Sequence, residues 1–116
     1  MAERCAAEGA LVAIADIDND SGAAAAAGLG DAALFVPMDV RDAASVEAGV
    51  EAVLRRFGRL DGLIQCAGAS GRHHGDGPAA DCAEAGWEWV IELNLRGVFL
   101  TCKYSLRAML QGGGGA

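Results

Sequence analysis

An asparagine stands in the middle of a long, largely apolar stretch, Trp87-Glu88-Trp89-Val90-Ile91-Glu92-Leu93-Asn94-Leu95-Arg96-Gly97-Val98-Phe99. A buried carboxamide costs about 1–3 kcal/mol unless its groups are hydrogen-bonded. Asn94 therefore meets a backbone kink or a water network, or it turns to solvent. Three further places carry chemistry. Asp16 ends the apolar run Ala10 to Ala15. A carboxylate at a strand's carboxyl end can accept hydrogen bonds from both ribose hydroxyls of an adenosine and repel a 2′-phosphate; equally, it can be an acidic cap among Asp18, Asn19 and Asp20. Asp39-Val40 follows a second apolar run. Its carboxylate can accept from an adenine amino group while a neighbouring amide meets a ring nitrogen, or it can close a turn. Cys66-Ala67-Gly68 ends a third run, where small residues let a flat ligand lie against backbone or mark a tight turn.

Other patterns fail on context. Gly28-Leu29-Gly30-Asp31-Ala32-Ala33 matches G-x-G-x-x-A, but a phosphate loop needs a strand before it and a helix after it. Here the order is reversed, and Gly112 to Gly115 also lacks a preceding strand. His73-His74 with Asp76 has no third ligand at metal-binding spacing; a mobile loop over a site is expected there, and no metal. Tyr104 has Ala108 four residues on, so it forms no Tyr-Lys pair.

The elements that must position these residues follow from pattern. Ala2 to Glu8 favours helix, with Gly9 as its stop. Ala10 to Ala15 reads as a buried parallel strand, continuous rather than alternating. Asn19, Asp20 or Ser21 can cap an alanine helix over 23–27 that Gly28 or Gly30 ends. Ala33 to Met38 is a second strand, with Pro37 suited to an edge. Asp42 or Ser45 caps the next helix, whose face is Val46, Val50, Val53, Leu54 and Phe57, and Gly58 ends it. Arg55, Arg56 and Arg59 gather at that helix end, where they complement its dipole. Leu60 to Cys66 is a third strand, residues 69–81 a glycine-rich loop, and residues 85–111 a long helix, apolar nearly all round. The β/α alternation predicts an α/β fold: a partial, Rossmann-like, doubly wound parallel sheet of three strands with helices on both faces, in a single incomplete domain over residues 1–116.

Composition narrows the function. With 116 residues, 53% hydrophobic and 22% charged, the chain suffices for one small domain. A net charge of −7 and no basic face argue against nucleic acid. No apolar run of about 18 residues suggests a membrane span. The four cysteines lack C-x-x-C spacing, so free thiols in a reducing cytoplasm are expected.

Taken together, Glu8-Gly9-Ala10 leading into Val12-Ala13-Ile14-Ala15-Asp16, then Met38-Asp39-Val40, then Leu60-Asp61-Gly62-Leu63-Ile64 with Ala67-Gly68, then Trp87 through Phe99 with Asn94, resemble the short-chain dehydrogenase/reductase family. The resemblance covers essentially the whole chain. It implies that Asp16 and the Ile17 amide hold the adenosine ribose, that Asp39 and Val40 contact adenine, and that Cys66, Ala67 and Gly68 line the cofactor with backbone. Asn94 would be the asparagine of the catalytic tetrad, kinking its helix and holding a proton-relay water. The cofactor would be NAD, with NADP disfavoured by Asp16, and the substrate a secondary alcohol or ketone. The helix over 85–111 would pack in a homo-oligomer.

The chain departs from the family pattern where Gln65-Cys66 replaces the usual Asn-Asn before Ala-Gly. The family's first strand with its glycine-rich loop is not found before residue 10, nor its serine and Tyr-x-x-x-Lys after residue 111. The expectation is an internal fragment of an oxidoreductase, inactive alone. The rival expectation is a non-catalytic partner that pairs with an intact homologue through helix 85–111. A phosphoacceptor receiver domain would need an aspartate where Gln65-Cys66 stands.

Overall fold

The computed structural model describes all residues from Met1 to Ala116. After a short helix α1 (Ala2–Ala7), Gly9 takes φ +90°, a conformation open to glycine, and turns the chain into β1 (Val12–Asp16). Helix α2 (Asn19–Leu29) crosses to β2 (Ala33–Pro37). The two strands pair in parallel, Val12 opposite Ala33 and Asp16 opposite Pro37. The amide of Met38 adds one further bond to the Asp16 carbonyl at 2.9 Å. Pro37 sits at the end of the edge strand, where its missing N–H costs no ladder bond.

The cap of α2 is one residue earlier than expected. Asp18, with φ −83° and ψ 102°, accepts from the amides of Asp20 and Ser21 at 3.0 and 3.1 Å and from the Ser21 hydroxyl at 2.8 Å. Its extended backbone lets the carboxylate reach the free amides of the first turn, and Asn19 to Ser21 lie inside the helix. The Gly28–Ala33 stretch is the end of α2 followed by a single turn into β2, so its glycines face no phosphate position.

Helix α3 (Ala43–Phe57) begins at Asp42, whose carboxylate accepts from Ala44 and Ser45, and ends at Gly58 with φ +80°. Successive residues of β2 fix where the helices lie. A Cβ on Gly22 of α2 would collide with the Phe35 ring, and one on Gly49 of α3 would stand 3.1 Å from Val36 Cγ1. Phe35 and Val36 point to opposite faces of the sheet, so α2 covers one face and α3 the other. Val36, Val46, Val53, Leu100 and Met109 are buried in the core, where α3 meets β2 and the last helix.

The third expected strand is corrected. The sheet has two strands, and Leu60–Cys66 joins no ladder. Its backbone bonds link Leu63 N to the Ala116 carbonyl (3.0 Å) and Ala116 N to the Asp61 carbonyl (2.9 Å), and none reaches β1. An apolar run becomes a strand only beside a partner about 4.8 Å away, and this segment has no backbone bond to either strand.

The expected long helix is present over Glu84–Gln111 but broken in the middle. It runs as α4 (Glu84–Ile91), a π-helical turn (Glu92–Arg96) and α5 (Gly97–Gln111). Nor is it apolar without a preferred side. Leu100, Thr101, Ser105, Ala108 and Met109 are buried, while Leu95, Phe99, Leu106 and Leu110 are exposed. Within the glycine-rich stretch over 69–81, Arg72–His74 forms a single helical turn packed on α4. His74 N and Asp76 N both donate to the Gly71 carbonyl, at 2.7 and 3.0 Å. Gly86 admits this turn, since a Cβ there would stand 2.6 Å from Asp76 N. No helix is long and apolar enough to cross a membrane.

Candidate cofactor crevice

At the carboxyl ends of β1 and β2 lies a crevice of about 470 Å³. All seven positions expected to meet a cofactor line it: Asp16 and Ile17 after β1, Asp39 and Val40 after β2, and Cys66, Ala67 and Gly68 from the unpaired segment. Parallel strands bring their carboxyl ends to one side, so residues far apart in sequence converge there.

Asp16 is exposed, and its Oδ1 accepts from the Asp18 amide at 2.9 Å. Its Oδ2 has no partner in the chain. One oxygen thus shapes the turn, as the capping reading expects, and the other is left without a partner in the chain. Ile17 is exposed beside it. Asp39 is more occupied. Arg41 meets its carboxylate with two guanidinium bonds, Nε to Oδ1 at 2.9 Å and Nη2 to Oδ2 at 2.7 Å, and with its own amide at 3.0 Å. These bonds hold the Asp39 carboxyl below the usual carboxylate range, outweighing desolvation, and raise the Arg41 guanidinium above its ordinary value. The Asp39 amide donates to the Ser45 hydroxyl at 3.0 Å, which pins the turn to α3.

Asn94 does not line the crevice; it holds the wall. Its Nδ2 donates to the Ala69 carbonyl at 2.9 Å, and its Oδ1 accepts from the Ala69 amide at 3.1 Å. The carboxamide thus serves both the N–H and the C=O of one residue, three positions past the end of the unpaired segment, as a ladder partner would. Of the alternatives open from sequence, the structure shows a backbone partner and a kinked helix at once, since Asn94 is the central residue of the π-helical turn. Gly68 makes the approach feasible, because a Cβ there would stand 2.7 Å from Asn94 Oδ1. Gln65 Nε2 donates to the Ala67 carbonyl at 3.3 Å, so a carboxamide does support this turn, from residue 65.

Six further residues line the crevice: Ala15, Met38, Arg41, Ala69, Trp89 and Leu93. Trp89 and Leu93 are four apart on the helix leading to Asn94, a spacing that places both on one face. That signal was present, but an apolar pair on a helix ordinarily means core. Arg96, on the same helix, donates to the Arg41 carbonyl and pairs with Glu92 at 3.1 Å. It ties the helix of Asn94 to the turn of Asp39. Gly97 permits the same contact, since a Cβ would stand 2.8 Å from Val40 Cγ2. His73 and His74 join no group of three metal-binding side chains; His74 stacks on Trp89 instead, ring centres 4.2 Å apart.

A two-faced α/β unit with a crevice at the carboxyl ends of its strands is the arrangement of open α/β folds, the dinucleotide-binding ones among them. The comparisons agree. The family profile described as enoyl-(acyl carrier protein) reductase matches residues 1–116. D-threitol dehydrogenase of Mycolicibacterium smegmatis is 37% identical over 119 residues, covering 100% of this chain and 44% of that protein. Trans-4-hydroxycyclohexanecarboxylate dehydrogenase of Sinomonas cyclohexanicum is 41% identical over 97% of this chain and 46% of its own length. The crystal structure of 3-ketoacyl-(acyl-carrier-protein) reductase from Brucella melitensis, complexed with NADH, superposes with a TM-score of 0.88 at 34% identity, over 97% of this chain and 45% of that one. The chain belongs to the short-chain dehydrogenase/reductase family of oxidoreductases, and it spans less than half the length of these relatives.

Proposed function

We propose that these residues form the adenosine-binding side of an NAD-linked oxidoreductase, whose whole protein moves hydride between nicotinamide and a secondary alcohol or ketone. The observation that carries this reading is the convergence of Asp16, Ile17, Asp39, Val40, Cys66, Ala67 and Gly68 on one crevice. In it the open oxygen of Asp16 meets the ribose hydroxyls and disfavours a 2′-phosphate, so NAD is preferred over NADP. Asp39, already charged and oriented by Arg41, keeps acceptor capacity for the adenine amino group, and the Val40 amide meets the ring. The backbone of Cys66 to Gly68 forms the floor. When bound, the nicotinamide supplies the hydride chemistry; these residues bind and orient. Asn94 is a positioning group here, holding the Ala69 peptide and the wall it belongs to. The 116 residues carry no tyrosine with a lysine four residues on, the pair that would transfer the proton, so hydride transfer by them alone is not expected. Four unpaired cysteines favour a reducing cytoplasm.

A second reading rests on the helix. Leu95, Phe99, Leu106 and Leu110 are exposed at helical spacing along α5 and the turn before it. That face suits pairing with a second copy, or with a full-length homologue that this chain would then modulate without catalysis.

The test is calorimetric titration of the chain with NADH and NADPH, beside Asp16→Ala. Saturable NADH binding, weaker NADPH binding and loss of the difference in Asp16→Ala are expected. Equal affinity for both cofactors in the unsubstituted chain would sink the NAD assignment, and no binding of either would sink the crevice as a cofactor site.

A further inference from the structure

Arg96 lies outside the crevice. It lines an adjoining, more open groove of about 550 Å³ that shares Asp39, Arg41 and Trp89 with it. Its guanidinium nevertheless reaches the crevice lining through backbone, because Nη1 donates to the Arg41 carbonyl. Arg41 is the residue that fixes Asp39, with its amide on Oδ1 at 3.0 Å and its two guanidinium bonds. Alongside, Gly97 meets Val40 with no room for a Cβ between them. Glu92 accepts from the same Arg96 nitrogen at 3.1 Å, four residues back, which limits the directions the arginine can take. Two residues before Arg96, Asn94 holds Ala69 by both its N–H and its C=O. Both side chains leave one π-helical turn, Glu92–Arg96. Residues two apart on a helix point nearly opposite ways, so this single turn reaches two separate stretches of the lining, 39–41 and 66–69.

We infer that Arg96 is a positioning residue of the crevice: with Asn94 it makes the π-helical turn a brace that holds the 39–41 and 66–69 stretches at a fixed separation, so that loosening one grip loosens the other. The brace stands on these contacts alone; its effect on a bound dinucleotide rests on the reading of the crevice as a cofactor site. Two contacts made from one short rigid element respond together, whereas independent contacts respond one at a time.

Amide exchange followed by NMR tests the brace without any ligand, at the Arg41 and Ala69 amides, with the β1 amides as reference. Arg96→Met keeps the aliphatic stem and removes the donor. It should speed exchange about fivefold at both Arg41 and Ala69 and leave β1 unchanged. Arg96→Lys keeps a donor for the Arg41 carbonyl and should restore most of the protection at both. Glu92→Gln removes only an exposed ion pair and should change either amide by less than about twofold. Gly68→Ala reads the coupling from the other end, and carries the test if Arg96→Met does not fold. Its Cβ would stand 2.7 Å from Asn94 Oδ1, and the distant Arg41 amide should exchange faster. The inference is overturned if Arg96→Met frees Arg41 and leaves Ala69 as it was, or if Gly68→Ala leaves Arg41 as it was. It is overturned equally if the β1 amides speed up with the others, since Arg96 then only adds stability, or if Arg96→Lys rescues neither amide. NADH calorimetry on the same variants separates the brace from the cofactor reading. Arg96→Met should weaken NADH about fivefold and Arg96→Lys should recover it. NADH bound equally by all variants overturns the positioning role. The expected exchange pattern in a chain that binds no NADH keeps the brace and sinks the cofactor reading.

Discussion

Two apolar runs, Ala10 to Ala15 and Leu60 to Cys66, supply two walls of one crevice, yet only the first contributes a strand. β1 is paired to β2 along five residues, and α2 covers both strands. The 60–66 segment has two backbone bonds to Ala116, and past its end a side chain, Asn94, grips the Ala69 peptide. The difference is one of partners, not of composition. A strand is a relation between two segments, whereas a helix such as α3 satisfies its own backbone and needs only a cap, a stop and a covered face. The crevice therefore has one side held by a ladder and caps, and another held by a few point contacts, of which Asn94 is the most specific.

Breaking the weaker wall has the largest expected effect. Asn94→Leu removes both bonds to Ala69, each worth about 1 kcal/mol. We expect a stability loss of about 2 kcal/mol in urea unfolding, faster exchange of the Ala69 amide, and NADH affinity reduced with it. Unchanged exchange at Ala69, with β1 amides equally affected, would show that the two walls are not held separately.

The paired wall is sharpened by pH. The Asp39 carboxyl is held down in the folded chain, chiefly by the Arg41 guanidinium bond. A depressed folded value means that its stabilising contribution is present above the unfolded carboxylate value, near pH 4, and is lost as pH falls through the lower folded value. Asp39→Asn should therefore be less stable than the unsubstituted chain at neutral pH and converge with it in acid. Asp18, lowered chiefly by the Ser21 amide, titrates in the same window and is untouched by this variant, so both proteins keep its acid limb. Parallel curves down to the lowest pH would exclude the Asp39–Arg41 contribution.

The smallest effect belongs to the cap. Asp42→Ala removes acceptors for the Ala44 and Ser45 amides, both at 3.2 Å, and should cost about 1 kcal/mol in a urea melt. It should leave the NADH affinity within about twofold, because the Ser45–Asp39 bond that holds the turn is separate.

Much of the positioning machinery is legible in the chain itself. Gly9, Asp42 and Gly58 mark their element boundaries through local chemistry, because a positive φ or a free amide is a need that a few neighbouring residues meet. The Gly28–Ala33 match to G-x-G-x-x-A is excluded on the same basis, since the order of helix and strand around it is also local. The candidate site was legible as a set of strand-end residues because parallel strands bring their carboxyl ends together whatever the details. The helical turn Arg72–His74 is not legible in the glycine-rich run 69–81, because its contacts are with Gly86 and Trp89, two helix residues beyond the end of that run.

The sequence by itself determined where helices start and stop, which runs are apolar enough for strands, and which short polar groups stand at strand ends. These are properties of neighbouring residues and of short-range hydrogen bonds. Tertiary structure alone decided that Leu60–Cys66 is not a strand, that Asn94 spends its carboxamide on Ala69, that Asp39 is shared with Arg41, and that Trp89 faces the crevice. Each of these depends on what lies across a gap in space from residues distant in the chain, and burial and pairing across such gaps leave no periodic trace in the sequence.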